Sequence, residues 1–283
     1  MSEAETLAVL RDAFVVSILA LAVAAVIYKL LRRSEEGSWN VEGNVLTRPY
    51  GRPDAAAALL LLSMFGAVFF AEVPLSVGDA AEGGQEKLTL SALVLQAASM
   101  LVLCLLVLFY MAVLRGLNPA EMFGLRQMTV KRSFFHAIPA LILTVLGIWI
   151  AMALAMIWND GKLPETSPQE TVEAFEKNGS PAFRLMLGFM AVITAPLTEE
   201  LLFRGFLYGV IKRYTERWFA ACFTSVIFAV VHFHVGTAPQ LFLLGLGLAI
   251  AYEQTGCLLV PVFMHALFNA WNVTVLTVLS SAS

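Results

Sequence analysis

Charge is what this sequence has least of. Only 14% of its 283 residues are Asp, Glu, Lys or Arg, where soluble domains carry about a quarter. The net charge is −3 and there is no long basic block, which argues against a nucleic-acid partner. Cysteine is scarce as well: Cys104, Cys222 and Cys257 stand apart in apolar runs, without Cys-x-x-Cys spacing. That excludes a disulfide framework and a zinc ribbon, and reads as three small buried hydrophobes. Positive charge is outnumbered ahead of the first apolar run, where Glu3, Glu5 and Asp12 stand against Arg11, while Lys29, Arg32 and Arg33 follow it. The order is the reverse of a secretory leader and reads as a retained anchor with its N-terminus outside.

Apolar length is what the chain has in abundance. It is 59% hydrophobic, with a mean hydropathy of +0.78. Runs that can cross about 30 Å of hydrocarbon recur near 13–31, 55–72, 90–114, 134–157, 183–211, 217–234, 239–254 and 257–279. The expected fold is all-α: a polytopic integral membrane protein of about eight transmembrane helices, with the lipid bilayer as its first partner. Loop charges set an orientation. Arg32, Arg33, Arg48 and Arg52, then Arg115, Arg126, Lys131 and Arg132, then Lys212, Arg213 and Arg217 fall in alternate loops. Asp79, Glu82 and Glu86, and Asp160 through Glu176, fall in the others. With the N-terminus outside, every basic loop is cytoplasmic.

Residues 117–132 read as an interfacial helix and 167–181 as a short surface helix. Gly245 and Gly247 read as a close helix contact. The chain divides into an N-terminal membrane region, 1–133, with three helices and the interfacial segment, and a second membrane domain, 134–283.

Ionisable groups well inside the later spans are few: Glu199, Glu200 and Arg204; His232; and His265 with Asn269. Each costs a few kcal/mol in hydrocarbon, so each is a functional candidate. Glu199 lies fourteen residues before Arg213, and His232 fifteen beyond Arg217, or about 21 and 22 Å along their helices. His265 lies eleven beyond Gln254, about 17 Å. The three helices thus present polar groups to one layer. Adjacent helical residues point about 100° apart, so Glu199 and Glu200 cannot face one spot. Glu200 and Arg204 are four apart, acid first, and are assigned to each other as a neutralised clamp. That leaves Glu199 free to face a cavity, and puts His265 and Asn269 in reach of one ligand. Pro196 and Pro261 are expected to bend their helices beside the site. His136 and His234 read as structural.

The residues "EELLFR" (199–204), "FAVVH" (228–232) and "HALFN" (265–269) match EExxxR, FxxxH and HxxxN in order. Over roughly 182–275 the sequence resembles the CAAX-protease and bacteriocin-processing family of intramembrane proteases, which includes the type II prenyl endopeptidases. The resemblance implies a catalytic centre of Glu199, His232, His265 and Asn269, with Glu200 and Arg204 completing the first motif. It implies an endopeptidase near the cytoplasmic side of a bacterial plasma membrane, acting on a peptide or protein that the family name makes lipid-modified.

Two chemical schemes stay open. In one, Glu199 with His232 activates water while His265 and Asn269 hold the developing oxyanion. In the other, Glu199, His232, His265 and Asn269 hold a divalent metal such as zinc with an open water position. Two non-enzymatic readings stand beside these: an idle scaffold, sensor or immunity protein of the same fold, and a proton or ion relay. There is no HExxH, GxSxG or GxGD sequence for other intramembrane proteases.

Overall fold

The computed structural model describes residues 43–75, 90–158, 180–232 and 237–282. The expected span 13–31, nearly all of the surface helix 167–181, and His234 lie outside these residues. Regular structure among the described residues is entirely helical. In chain order the helices are α1 (Arg52–Leu75), α2 (Leu90–Phe109, continued as a π-helix over Tyr110–Leu114), α3 (Pro119–Met122) and α4 (Val130–Trp158). Then come α5 (Pro181–Tyr214), α6 (Arg217–Val230), α7 (Ala238–Thr255) and α8 (Leu259–Ala282).

Among the described residues, four helical stretches are long and apolar enough to cross a membrane: Leu90–Leu114, Val130–Trp158, Pro181–Tyr214 and Leu259–Val278. Their outward faces are apolar, as lipid requires. On α4, Leu143, Trp149 and Ile157 are exposed, whereas α5 is the most buried of the four. Without a hydrophobic drive between helices in lipid, packing and polar contacts must hold such a bundle together. Here α5 is the axis, touched by α2, α6 and α8. Phe203 of α5 meets Phe65 of α1 and Phe228 of α6 edge-on, with centroids 5.6 and 5.4 Å apart. A second cluster joins α4, α7 and α8 through Ala137, Leu248, Val260 and Met264.

α5 is not a uniform helix. Regular turns at Pro181–Phe189, Ala195–Glu200 and Gly209–Tyr214 alternate with π-helical stretches at Met190–Thr194 and Leu201–Tyr208. Such wide turns recur at functional sites, and these two bracket Glu199 and Glu200.

Several expectations need correction. The segment 117–132 is not an interfacial helix. Asn118 caps a single turn, accepting from the Ala120 N–H at 3.0 Å, and Gly124 at φ 64° ends it. A left-handed conformation excludes most side chains there, and any Cβ would strike the Gly256 carbonyl. Phe123 is buried, and its carbonyl accepts from the Leu258 N–H at 3.0 Å, so the turn is a plug under α7 and α8. Pro261 does not bend α8: it sits in the first turn, where an N–H has no intrahelical partner to lose. Of the cysteines, Cys257 is buried, Cys104 is half-buried and Cys222 is exposed; all three are free thiols.

Charges counted as loop charges are partly internal. Lys212 belongs to α5, is 4% exposed and pairs with Glu253 of α7 at 2.6 Å. Arg115 pairs with the fully buried Asp54 at 2.8 Å. Burial works against the Asp54 anion, but hydrogen bonds from Arg115, the Gly51 N–H and Tyr110 outweigh it and hold the carboxyl below its usual range. Asp54 therefore contributes stability that is full above the unfolded carboxyl's value, about pH 4, and is lost as pH falls through the lower folded value. Asp54→Asn should lower stability at pH 7 by about 2 kcal/mol, read as the unfolding midpoint in detergent, with the difference from wild type vanishing toward pH 3.

Candidate active site

Arg204 comes first because its guanidinium is the most expensive group to bury. It is fully enclosed, and three elements hold its two terminal nitrogens and its face, while Nε has no partner among the described residues. Nη1 donates to Glu200 Oε1 at 2.9 Å within α5, and Nη2 donates to the Gly245 carbonyl of α7 at 3.0 Å. The Phe228 ring of α6 lies 4.5 Å from the guanidinium carbon, a cation–π contact in a desolvated setting. Gly245 allows this close approach: a Cβ there would stand 3.2 Å from both Nη2 and Ser225, so that a neighbour would have to give. The close contact expected at Gly245 is thus made to a guanidinium.

Glu200 is more than a clamp for Arg204. Its Oε1 also accepts from His265 Nδ1 of α8 at 2.9 Å. The other nitrogen of the same ring, Nε2, lies 3.9 Å from Glu199 Oε2. One imidazole therefore bridges the two carboxylates, and the expected division into a closed Glu200–Arg204 pair and a separate His265–Asn269 pair does not hold. His232 approaches from the end of α6, with Nε2 3.8 Å from Glu199 Oε2. Its Nδ1 lies 2.6 Å from the Phe228 carbonyl, which can only accept, so Nδ1 carries the proton.

The hydrogen bonds place a proton on each Nδ1. With no second proton on either ring, His232 and His265 each present an Nε2 lone pair toward Glu199 Oε2. That oxygen is buried and has no hydrogen-bond partner among the described residues. Three acceptors converge with no donor among them, at separations that suit a bridging water rather than direct bonds. Phe228 forms the wall, its ring centroid 4.7 Å from His232 and 5.8 Å from His265. Its part in the motif, which sequence reading left blank, is to seat Arg204 and both histidines.

Asn269 lies one turn beyond His265 but is directed elsewhere: Nδ2 donates to the Ala191 carbonyl of α5 at 2.8 Å. That carbonyl is available for a local reason. Its α-helical donor, the Ala195 N–H, is turned to Met190, and the next candidate along is Pro196, which has no N–H. The proline expected to disturb the helix near Glu199 thus creates the acceptor that Asn269 binds. Among the described residues, Asn269 makes no hydrogen bond to Glu199, His232 or His265.

Arg217 begins α6 and His232 follows its far end, and 14 residues rise about 21 Å. The Glu199 group therefore lies by the far end of α6, at the separation from the basic turn that residue spacing gives. His136 is exposed on α4, its ring bonded to the Arg132 carbonyl at 2.8 Å.

The donor set was tested for a metal. A tetrahedral ion held at about 2.0–2.1 Å draws its ligands to about 3.3 Å of each other. Glu199 Oε2 stands 3.8 and 3.9 Å from the two nitrogens, and Asn269 is engaged by Ala191. Among the described residues no group of three His, Cys, Asp or Glu side chains is spaced to hold an ion. The arrangement does not fit a metal as it stands.

The family model described as "Type II CAAX prenyl endopeptidase Rce1-like" matches residues 181–271, which hold all six residues just described. This segment is similar to the Rce1-like family. A protein of Bacillus subtilis (strain 168) named "Putative membrane peptidase YdiL" is 32% identical over 81 residues, 29% of this chain and 33% of the relative. An Escherichia coli relative named "Uncharacterized 24.3 kDa protein" is 41% identical over 78 residues, 26% of this chain and 36% of the relative. The chain thus spans about a third of the length of the curated relatives it matches. No solved structure matches it. The Rce1-like segment runs from the start of α5 into α8, so the motif-bearing helices are its common part.

Removing one partner of a fully buried pair strands the other as an unpaired charge. Arg204→Met should lower stability by about 3–5 kcal/mol, and Glu200→Gln with Arg204→Met should recover part of that loss. Denaturant unfolding of the two variants in detergent measures both.

Proposed function

We propose that the chain is an intramembrane endopeptidase of the CAAX-protease type in which Glu199 activates the attacking water. The observation that carries this reading is the unpartnered Glu199 Oε2 between two imidazole Nε2 atoms. Converging acceptors of this kind need a donor with two hydrogens, and water is the smallest. Held between Glu199 and His232, a water gives one proton to the Glu199 carboxylate as its oxygen adds to the scissile carbonyl carbon. The tetrahedral oxyanion forms on the His265 side. The C–N bond then breaks, and the amine leaves with the proton returned by Glu199.

Glu200 makes the oxyanion step workable. To hold the oxyanion His265 must first take up a proton from solvent at Nε2, and the Glu200 carboxylate on Nδ1 supports the resulting cation. Arg204 in turn holds Glu200. Asn269 acts through position in this scheme: its bond to Ala191 fixes α8, and so His265, against α5. No step needs an ion from this donor set.

The substrate is a peptide or protein segment that reaches into the membrane layer. Lipid-modified tails are the class named for the family. Entry is from the α6–α7 tip, where the His232 side chain is 23% exposed while Glu199 and His265 are nearly closed off.

Purified full-length protein in detergent, incubated with a peptide library, tests the assignment. Glu199→Gln and His232→Ala should each lower kcat/KM by about 10²–10⁴ with little change in unfolding midpoint. Cleavage that survives in both variants would sink it. Chelation should leave the wild-type rate unchanged; a rate lost to chelator and restored by zinc would show that the site closes on a metal.

A further inference from the structure

Residues 43–51 form a strap laid across the ends of α5 and α7, outside the Rce1-like segment. It is tied along its length. The Asn44 N–H donates to the Glu253 carbonyl at 3.4 Å and Asn44 Nδ2 to the Gln254 carbonyl at 2.5 Å. Lys212 Nζ donates to the Val45 carbonyl at 3.4 Å, and Arg213 Nε to the Tyr50 carbonyl at 3.2 Å. At its far end Asp54 is held by Arg115 and Tyr110 of α2.

Tyr50 is where the strap meets the motif helix. Its side chain is 3% exposed, and its ring stands edge-on to Phe206 at 5.9 Å. It also lies over Gly209, where a Cβ would come within 2.6 Å of the ring. Its hydroxyl donates to the Gly205 carbonyl at 3.2 Å. In a regular helix that carbonyl would receive the Gly209 N–H, which is here turned to Phe206. The π-helical stretch Leu201–Tyr208 therefore displaces an acceptor next to Arg204, and Tyr50 satisfies it.

We propose that Tyr50 is a positioning residue of the site: its hydroxyl holds the wide turns of α5 that aim Arg204 at Glu200 and Gly245. Without the hydroxyl, the Gly205 carbonyl loses this buried partner, which favours recapture of the Gly209 N–H and a return to α-helical register. That rotates Arg204 relative to Glu200 and loosens the Glu200–His265 bond. The kinetic part of this inference rests on the proteolytic reading; the structural part does not.

Tyr50→Phe removes the hydroxyl and keeps the ring packing. In the full chain in detergent, hydrogen exchange over Leu201–Val210 should quicken about five- to tenfold, the scale of one buried hydrogen bond. Amides of α8 should be unchanged. With a cleaved peptide, kcat should fall by about the same factor and KM should stay within twofold. Val45→Ala, which thins the strap without touching the carbonyl, should leave kcat as in wild type and controls for general loosening. Exchange unchanged in Tyr50→Phe overturns the proposal, as does faster exchange with kcat unchanged. Faster exchange in a protein whose wild type cleaves nothing leaves the positioning in place and removes the protease reading.

Discussion

The buried guanidinium of Arg204 is the constraint around which the later helices are arranged. Hydrocarbon-depth burial of a charge is tolerated only when paired and hydrogen-bonded. Each partner of Arg204 lies on a different helix: Glu200 on α5, the Gly245 carbonyl on α7 and the Phe228 ring on α6. Satisfying one side chain therefore fixes three helices. α8 joins through His265, which binds the same Glu200 oxygen. The EExxxR motif is in this sense an assembly device as well as the proposed source of a base, and its second glutamate belongs to both roles.

α5 leaves the regular helical pattern twice, and each departure is answered from another part of the chain. At Met190–Thr194 the displaced Ala191 carbonyl is taken by Asn269; at Leu201–Tyr208 the Gly205 carbonyl is taken by Tyr50. A buried carbonyl without a donor is costly, so these side chains and the wide turns stabilise one another. Glu199 and Glu200 sit on the short regular segment between, held in phase from both sides. A stripe at Glu200, Arg204, Tyr208 and Lys212 continues along α5, where Tyr208 and Lys212 both bind Glu253 of α7. It keeps α5 and α7 in register from the site to the basic turn.

What could be read from the sequence was what rests on spacing. The bounds of the later helices, the shared layer of Glu199, His232 and His265, and the Glu200–Arg204 pair follow from rise per residue and i,i+4 geometry. What could not be read depends on partners distant in the chain. Lys212 and Arg115 look like loop charges until Glu253 and Asp54 are seen beside them. Pro261 looks like a kink until the helix is seen to start at Leu259. Pro196 was legible as a disturbance, but its consequence was not, because the freed carbonyl faces α8. Tyr50 carried no signal at all: a tyrosine before Gly-Arg-Pro is ordinary loop composition.

The acceptor convergence at Glu199 also bears on the reading of this site as a relay. A proton path needs alternating donors and acceptors that can reverse their roles. Here both Nδ1 hydrogens are committed, one to a backbone carbonyl and one to a carboxylate that Arg204 also binds. Beyond Glu200 the next group along α5 is that guanidinium, which donates only and does not release its proton. The polar column is therefore interrupted between the site and the basic turn. On the proposed reading, a proton is taken up and returned locally at Glu199. That suits a cycle completed on one substrate better than transfer across the membrane.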